Sequence, residues 1–536
     1  MTTPTSSQAP TVARPVDASR REPLYGADAT RRIEREALAR LPAHTLMSRA
    51  GLSVARLARA LHPHARMIWV ACGPGNNGGD GLLAAIHLHQ WAQARGGSQT
   101  VVVTHWIGEP ADESGLPADA RNALAAARQA GVVFADRPPL AFDLAIDALF
   151  GLGAARPVQG RLGEWLALLR GSSQTVLCVD LPSGLHADTG ALAPAAGVHP
   201  HPTPRPGPRH TLSLLTLKPG LFTAHGRDAA GQVWLDGLGE SPSADEPATA
   251  WLAGRAPPAG AKADQAHVSH KGSFGDVVVV GGQGISVGGA GMTGAALLAA
   301  RAALHAGAGR VFVGLLQRPD AVEPTWDPVN PELMFRRPES LLDTATLQQA
   351  CVVCGCGGGK SIASVLPRVL SGTARLVLDA DALNAIATDS GLQTLLRHRL
   401  GRGWTTVLTP HPLEAARLLG CDTATVMADR LKSAQSLAES FGVVCVLKGS
   451  GTVLAAASEV PWINPTGNAS LATAGTGDVL AGMVGAALAS PLKANGPSVL
   501  QRVAEAVFQH GWLADHWPCE SSLNAGALAA RVQTLS

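Results

Sequence analysis

Charged residues are scarce in this 536-residue chain. They make up 16% of it, and 43 basic residues nearly balance 41 acidic ones. The resulting net charge of +2 gives no basis for a nucleic-acid or membrane-surface partner. No run of 18 apolar residues is free of glycine clusters or charges, so we expect no membrane span.

Cysteine is also sparse, with eight residues, and only Cys351, Cys354 and Cys356 lie close together. Their spacing resembles half of a metal site, but no matching Cys or His pair follows at zinc spacing. They lie in an apolar, strand-like run, 350–356. We therefore expect buried, reduced thiols and a cytoplasmic location.

The length exceeds one ordinary core, and a hydrophobic content of 46% suits a well-buried α/β protein. Residues 1–20 are rich in Ser, Thr, Pro and Ala and contain no apolar signal-peptide core, so we expect a disordered tail. The stretch 241–264 is rich in Ser, Pro, Ala and Gly. We expect it to be a linker between domains at 21–240 and 265–536.

In the first half, a buried strand at 67–71 precedes the sequence CGPGNNGGDG (72–81), which an apolar helix at 82–91 follows. Strand, glycine loop and helix in this order let backbone N–H groups approach a phosphate. Asn76, Asn77 and Asp80 can also bond a ribose or an amide, or bind a cation through oxygen. A turn that merely tolerates Asn and Gly is the alternative.

Two aspartates lie at the ends of predicted strands. Asp147 lies in the strand 142–149, and Asp180 ends the strand 175–180, shortly before Ser183. Parallel pairing would place both aspartates at the edge where open α/β sheets bind ligands. One such Asp is more often a loop cap, but two of them with Ser183 predict a site.

The ordered motifs GPGNNGGDG, IDALFGLG, VDLPSGL and LKPGLF, over about residues 25–240, resemble the epimerase half of the NAD(P)H-hydrate repair enzymes. The resemblance implies a Rossmann-like three-layer domain that interconverts the R and S forms of hydrated NADH or NADPH. It implies a catalytic Asp180 and a potassium ion on Asn77, Asp147 and Ser183. The hydrate-binding positions that it implies, besides Asp180, are Asn76, Asn77, Gly78, Gly79, Asp80, Gly151, Leu152, Gly153, Ala154, Ala155, Arg156 and Pro157.

Two features depart from this family. The family usually has a Glu in the stretch LMExAG, where this chain has LMSRAG with Ser48. A Pro-rich run, 199–208, also disturbs the segment before the last motif.

Near the end of the chain, the stretch LATAGTGD (471–478) leads into an apolar, alanine-rich segment. A helix beginning here would direct unpaired N–H groups and a positive dipole end at a phosphate. Asp478 would repel that phosphate unless it takes a proton from a reacting group, and the plainer alternative is a helix cap. The same parts would serve an ordinary small-molecule kinase or an idle nucleotide-binding scaffold.

Other polar residues follow predicted strands or turns in this half. Lys271 either reaches a nucleotide phosphate or is a solvated loop lysine. His411 follows a strand end, and we expect it to be functional. Asp379, Asp381 and Asn384 either cap a turn or belong to the site.

The ordered motifs HKGSFGD, LDADALN, LTPHPLE, LKGSGT and GTGDVLAG, over about residues 262–530, resemble the dehydratase half of the same enzymes. The resemblance implies a ribokinase-like three-layer fold that removes water from the S form, with ADP as co-substrate in bacterial members, and with magnesium. It implies a catalytic Asp478. One departure is the sequence GCGGG at 355–359, where the family usually has Gly-Pro-Gly-Leu-Gly. We also expect a homo-oligomer. The hydrate-binding positions implied are Ala295, Gly357, His411 and Asp478, and the nucleotide-binding positions are Lys448, Gly449, Ser450, Gly451, Thr452 and Gly477.

Overall fold

The computed structural model describes residues 13–97, 99–108, 112–153, 157–194, 206–254, 270–288, 290–318, 326–489 and 496–535. The chain divides into two compact units. The N-terminal unit consists of Pro23–Ala250 and the residues before Ala18, and the C-terminal unit consists of Ala18–Glu22 and Trp251–Ser536.

Short, buried strands alternate with helices up to residue 252. The strands are β1 (Arg14–Pro15), β2 (Glu22–Leu24), β3 (Met67–Cys72), β4 (Thr100–His105), β5 (Val133–Phe134), β6 (Leu144–Ala148), β7 (Thr175–Val179), β8 (Arg209–Leu214), β9 (Gln232–Asp236) and β10 (Ala250–Leu252). The helices are α1 (Ala27–Arg40), α2 (Thr45–Leu61), α3 (Asn76–Ala94), α4 (Ala118–Gln129), α5 (Gly160–Gly171) and α6 (Gly226–Ala230).

Eight of these strands form one sheet, in the order β1-β9-β8-β7-β6-β3-β4-β5. Neighbours run parallel, except that β1 is antiparallel to β9. Successive side chains of a strand point to opposite faces. In β3, Ile68 and Val70 pack with α2, α3 and α4, whereas Trp69 and Ala71 pack with α5. Helices thus cover both faces, which confirms the three-layer, Rossmann-like prediction.

Helix α3 begins at Asn76, whereas the sequence predicted a loop as far as residue 81. Glycine costs about 1 kcal/mol relative to alanine inside a helix, so the pattern favoured a loop. Close packing explains the difference. A Cβ on Gly78 would lie 2.0 Å from the Gly73 carbonyl oxygen, and one on Gly81 would lie 2.5 Å from the Ala148 Cβ. These glycines let the start of α3 press against β3 and β6.

Two short strands, β1 and β10, lie in the segments that were expected to be a disordered tail and a linker. Residues 1–12 of the tail lie outside the described residues, but β1 pairs with β9. Within 241–264, β10 forms a strand, and residues 255–264 lie outside the described residues. Strands of two or three residues are too short to show periodicity.

From residue 270 onward the same alternation resumes. The strands are β11 (Asp276–Gly281), β12 (Arg310–Leu315), β13 (Met334–Phe335), β14 (Cys351–Cys354), β15 (Arg375–Leu378), β16 (Thr405–Leu408), β17 (Val444–Leu447), β18 (Val453–Ala455) and β19 (Trp462–Ile463). The helices are α7 (Ile285–Gly288), α8 (Thr293–His305), α9 (Pro338–Leu341), α10 (Thr344–Gln349), α11 (Ile362–Gly372), α12 (Asp381–Thr388), α13 (Ser390–Gly401), α14 (Pro412–Leu419), α15 (Thr423–Ala428), α16 (Arg430–Phe441), α17 (Thr476–Ala489), α18 (Val499–Asp515) and α19 (Ala525–Arg531).

The second sheet has the order β13-β12-β11-β14-β15-β16-β17-β18-β19-β10-β2. Strands β11 to β17 pair in parallel, and β18 is antiparallel to both of its neighbours. In β11, Val277 and Val279 pack with α8, α17 and α18, whereas Val278 and Val280 pack with α11 to α14. The ribokinase-like three-layer prediction is confirmed. Among the helices of the described chain, none combines the length and apolar character that a bilayer crossing requires.

Candidate active sites

In the C-terminal unit, four consecutive parallel strands end at one edge of the sheet. Strand β14 leads into 355–359, β15 into Asp379, β16 into His411, and β17 into Lys448. Because parallel strands share the edge at which they end, residues far apart in the sequence meet there.

Asp379 and Lys448 form the ion pair at the centre of this edge. The Lys448 Nζ donates to Asp379 Oδ1 at 2.7 Å, and the Thr409 hydroxyl donates to the same oxygen at 2.7 Å. Burial opposes the charge on Lys448, but Asp379 and Glu414 outweigh it and raise the pKa of the ammonium group. Lys448 therefore stays cationic, as binding of a nucleotide phosphate requires.

Asp478 lies in the first turn of α17, directly after the glycine turn. A Cβ on Gly475 would lie 2.6 Å from the Leu298 Cδ1, and its φ of +89° is in the left-handed region, so the turn requires glycine. Burial, with Asp379 adding to it, raises the pKa of the Asp478 carboxyl to about 6, while Cys356 and Lys448 act in the opposite direction. A carboxylate with a pKa near the working pH is suited to general base catalysis.

The loop 448–452 rests on the buried side chain of Arg430. The guanidinium donates to the carbonyl oxygens of Leu447 at 3.1 Å and Lys448 at 3.3 Å. Gly449 has a φ of +137°, and a Cβ there would lie 2.9 Å from Arg430 Nη1. A Cβ on Gly477 would lie 3.3 Å from the Lys448 Nζ, so the loop and the start of α17 adjoin. The predicted nucleotide-binding positions, 448–452 and Gly477, are therefore neighbours in the structure.

The predicted hydrate-binding positions of this unit line the same edge. A Cβ on Gly357 would lie 2.8 Å from the Ala295 Cβ, so these two positions touch. His411 caps α14, because its Nδ1 accepts from the N–H groups of Leu413 at 3.1 Å and Glu414 at 3.4 Å. Burial and Lys448 lower the pKa of His411, which favours the neutral imidazole. Capping does not remove it from the site, since its side chain stays half exposed.

In the N-terminal unit, the corresponding edge is formed by β8, β7, β6 and β3. Asp180 follows β7 with a φ of +64°, a left-handed conformation that costs a non-glycine residue about 1 kcal/mol. Lys218, which is fully buried, holds it there by donating to Asp180 Oδ1. The same ammonium group also donates to the Leu214 carbonyl oxygen at 2.8 Å, so its position is fixed.

Two predicted hydrate-binding segments, 76–80 and 151–157, meet at Asp180. A Cβ on Gly151 would lie 3.1 Å from Asn77 Oδ1 and 3.4 Å from Asp180 Oδ2. The Leu152 carbonyl oxygen accepts from Arg31 Nη2 at 2.9 Å. Asn76, Gly78, Gly79 and Asp80 lie in the first two turns of α3, and Gly153 and Pro157 flank Ala154, Ala155 and Arg156, which lie outside the described residues.

Buried acidic groups surround this edge. Burial, followed by the charge of Asp180, raises the pKa of Asp80 and of Glu34 above their usual values. Both carboxyls are therefore biased toward the protonated form beside a single buried lysine. Glu34 carried no signal in the sequence, because it lies inside an ordinary amphipathic helix.

Asp147 and Ser183 are joined directly. The Ser183 hydroxyl and backbone N–H donate to the two carboxylate oxygens of Asp147, at 2.5 Å and 3.0 Å. The Asn77 side-chain nitrogen is buried and has no hydrogen-bond partner among the described residues. Amide, carboxylate and hydroxyl oxygens are the donors that hard cations prefer, so the chemistry of this set fits potassium.

Comparison with known proteins shows the family to which the chain belongs. The family model described as YjeF-related protein N-terminus matches residues 43–220, and the model of NAD(P)H-hydrate dehydratase matches 284–534. The chain is 35% identical over 489 residues to the bifunctional NAD(P)H-hydrate repair enzyme of Escherichia coli, covering 88% of this chain and 85% of that one. The chain belongs to the family of bifunctional NAD(P)H-hydrate repair enzymes.

Two further relatives match only the C-terminal half of this family member. The ADP-dependent (S)-NAD(P)H-hydrate dehydratase of Neisseria meningitidis is 39% identical over 272 residues, covering 50% of this chain and 86% of that one. The crystal structure of the ADP/ATP-dependent NAD(P)H-hydrate dehydratase of Bacillus subtilis, co-crystallised with ATP and Mg²⁺, is 27% identical. It superposes with a TM-score of 0.39 and covers 50% of this chain and 90% of that one.

The dehydratase half of the family implies magnesium, but the described His, Cys, Asp and Glu side chains include no group of three that offers it oxygen ligands alone. The one group of three potential metal ligands among the described residues consists of Cys356, Asp379 and Asp478. A thiol is a soft ligand, whereas magnesium prefers oxygen and usually keeps water and substrate phosphates in its coordination shell. The described side chains therefore do not fit a dedicated magnesium site.

Sequence analysis assigned no role to some buried residues that contact the two candidate sites. Lys218 contacts Asp180 in the N-terminal unit. In the C-terminal unit, Arg430 contacts the loop 448–452, and His510 Nε2 lies 2.9 Å from the Thr476 carbonyl oxygen. Burial lowers the pKa of His510 to about 4, so the neutral ring can donate there. Cys356 was expected to be only a buried thiol, and it is buried, but it also adjoins the carboxylates.

Lys271 lies away from the site. It precedes β11 and is exposed, so it stands at the opposite edge of the sheet from the strand ends that carry Asp379 and Lys448. This position favours the alternative of a solvated loop lysine. Ser48, where the family usually has a Glu, is exposed on α2.

Proposed function

We propose that this protein repairs hydrated nicotinamide cofactors in two steps. The N-terminal half interconverts the R and S forms of hydrated NADH and NADPH. The C-terminal half removes water from the S form with ADP as co-substrate, giving AMP and phosphate. The observation that carries the proposal is the placing of Asp478, with its raised pKa, beside Lys448 and the loop 448–452, in a chain of this family.

The reaction at the C-terminal site must turn the hydroxyl of the hydrate into a better leaving group. A hydroxyl is a poor leaving group, whereas its phosphate ester leaves easily. Asp478 takes the hydroxyl proton as the oxygen attacks the terminal phosphoryl group of the nucleotide. The N–H groups of 475–477, at the start of α17, stabilise the charge on the transferring phosphoryl group. The ring nitrogen of the hydrate then expels phosphate, and the resulting iminium ion loses a proton from the neighbouring ring carbon to give the reduced nicotinamide.

The N-terminal site needs a group that handles protons at the reacting end of the hydrate. Asp180 is held by Lys218 and adjoins Asn77 and Gly151, so it is our candidate for that role. Potassium would be held by Asn77, Asp147 and Ser183, where it would supply positive charge beside the buried Asp147. Magnesium would be brought to the other site mainly by the nucleotide phosphates.

A small-molecule kinase is the competing function for the C-terminal half. A base in the first turn of a helix, a lysine and a glycine loop serve phosphoryl transfer to any hydroxyl. The difference is the fate of the phosphate ester, which a kinase releases and a dehydratase consumes.

One assay separates these functions. Purified protein is incubated with a mixture of R and S hydrate and either ADP or ATP, and the absorbance of the reduced nicotinamide is followed. We expect complete conversion with ADP. Accumulation of a stable phosphorylated product without absorbance gain would favour the kinase, and conversion that stops when the S form is exhausted would mean that the epimerase half is idle.

A further inference from the structure

Cys356 lies between the two carboxylates of the C-terminal site. Its S–H group donates to Asp379 Oδ2 over an Sγ–Oδ2 distance of 3.9 Å, and the Sγ, one oxygen of Asp379 and one oxygen of Asp478 all lie within 4.8 Å of one another. The side chain has no exposed surface. No role in the repair reaction follows from any motif around it.

The backbone leaves this thiol little freedom. Gly355 has a φ of +121°, and a Cβ there would lie 2.0 Å from the Asp379 carbonyl oxygen. Gly357 has a φ of +58° and packs on Ala295. The Gly359 N–H donates to Asp381 Oδ2 at 2.8 Å. A segment fixed at both ends in this way holds the Cys356 side chain against the carboxylates.

The charges around Asp478 come from several elements. Asp379 at the end of β15 and Asp381 on α12 oppose its ionised form, whereas Lys448 after β17 and Cys356 after β14 favour it. Lys448 and Thr409 are both bonded to Asp379 Oδ1, so the oxygen of Asp379 that faces the thiol is Oδ2. Burial, Asp478 and Asp379 hold the pKa of the Cys356 thiol well above its usual value, so the sulfur keeps its proton.

We propose that Cys356 is a positioning residue of the dehydratase, whose S–H group stands between Asp379 and Asp478 and keeps Asp478 in its proton-accepting form. The inference rests on the proposed role of Asp478 as the base. The single S–H proton bonds one carboxylate at a time: bonded to Asp379 Oδ2, it weakens the repulsion that opposes ionisation of Asp478, and bonded to Asp478, it stabilises that ion directly. Without that donor, Asp478 takes up a proton at a higher pH.

The test is the pH profile of dehydration, measured with S hydrate and ADP between pH 5 and 8.5. In Cys356→Ala we expect the acid limb of kcat/KM to move upward by about half to one pH unit, as the loss of one hydrogen bond implies. The rate on the alkaline plateau and the KM for ADP should stay within about twofold of wild type. Cys356→Ser, which restores a donor, should return the limb to the wild-type position or below it.

Cys354→Ala is the matched control. Cys354 is equally buried, two residues away, and packs in the apolar cluster on the other side of the sheet. Its loss removes the same sulfur atom but no neighbour of Asp478, so the limb should not move.

A uniform loss of rate in Cys356→Ala, with an unshifted limb, would overturn the proposal and leave only a packing role. If that variant fails to fold, Cys356→Ser decides, because an unmoved limb there, with a stronger donor in place, contradicts the inference. Failure of the proposed function is distinguishable, since wild-type protein would then show no dehydration at any pH.

Discussion

Asp478 occupies a position in which burial and charge conflict. It lies at the start of a helix, where the N–H groups favour an anion, but burial and the nearby Asp379 disfavour its ionisation. A carboxylate that only caps a helix would be weakened by burial beside Asp379, because both oppose its ionised form. The raised pKa of Asp478 is better explained by a need to take up a proton during each turnover.

Asp478→Asn keeps the size of the side chain and removes its ability to accept a proton. We expect dehydration to fall by roughly 10²–10⁴-fold, the usual contribution of a general base, while ADP binding is largely kept. In wild-type protein, the rate should rise with pH through about 6, as Asp478 ionises. Steady-state rates between pH 5 and 8 measure both effects, and an unchanged rate in the variant contradicts the assignment.

The same substitution should change stability in a pH-dependent way. Because the pKa of Asp478 is raised to about 6 in the folded protein, its proton stabilises the fold at low pH, and that stabilisation is lost as pH rises through about 6. At pH 8 the variant should therefore be more stable than wild type, by up to roughly 3 kcal/mol in the free energy of unfolding. Thermal unfolding at pH 8 and pH 4 tests this expectation, since the gain should nearly vanish at the lower pH.

Lys218 supplies the charge that the buried Asp180 requires. Lys218→Met keeps the chain length but leaves Asp180 without its cation, which for buried pairs costs about 3–5 kcal/mol. We expect conversion of R hydrate to lose its catalysed phase, while dehydration of S hydrate continues. The absorbance assay with each epimer measures the split, and Arg128→Met, which removes an exposed cation of the same unit that pairs with Glu113, is a control. Fast conversion of R hydrate in Lys218→Met would disprove the role.

Sequence patterns identified the site residues that follow strands or glycine turns. They did not identify the buried residues that hold those site residues in place. Asp180 directly follows β7 and Asp478 lies in the first turn of α17, as the strand and helix patterns predicted. Arg430 has no local pattern, and the motifs that contain Lys218 and Cys356 gave neither residue a role, because their relevance comes from burial against segments distant in the chain. Burial of a charged group is a tertiary property that no local spacing reveals.

At the scale of elements, long periodic segments were predictable and short or glycine-rich ones were not. The strands that carry the sites, such as β6 and β15, are continuous apolar runs typical of parallel sheets. Helix α3 began earlier than predicted because close packing overrides the low helix propensity of glycine. Strand β10 was missed because three residues cannot show a period.

The loop 448–452 depends on glycine at one position. Gly449→Ala would force a Cβ to within 2.9 Å of Arg430 Nη1 at a φ of +137°. We expect the KM for ADP to rise about tenfold or more, which corresponds to roughly 1.4 kcal/mol of lost binding, without a shift of the acid limb that reports Asp478. Gly401→Ala is the control, since nothing lies within 4 Å of its added Cβ. Equal KM values in the two variants would contradict the importance of the loop.

At the scale of the whole molecule, each unit builds its site from its own sheet. The N-terminal site uses the ends of β8, β7, β6 and β3, and the C-terminal site uses those of β14 to β17. Each set consists of four neighbouring parallel strands, so each unit contains a complete edge of the kind that binds ligands.

The two halves should therefore be separable, and the position of the cut should matter. A C-terminal fragment beginning near Lys262 lacks β10, whose Trp251 and Leu252 pair with Trp462 and Ile463 of β19. Its sheet would expose an unpaired apolar edge, which favours aggregation. A fragment beginning at Ala250 keeps this pairing and loses only β2, the outermost strand, so we expect it to unfold at a higher temperature than the shorter one.

Activity of the fragments tests the division of labour between the halves. The fragment beginning at Ala250 should consume S hydrate and then stall, apart from slow spontaneous epimerisation. A fragment ending at Thr249 should regenerate no reduced cofactor by itself, but adding it should restore full conversion, because each sheet edge is built within one unit. Asp180→Asn in the added fragment should abolish this rescue, since epimerisation requires a group that exchanges protons. Rapid use of R hydrate by the C-terminal fragment alone would contradict the assignment of epimerisation to the N-terminal half.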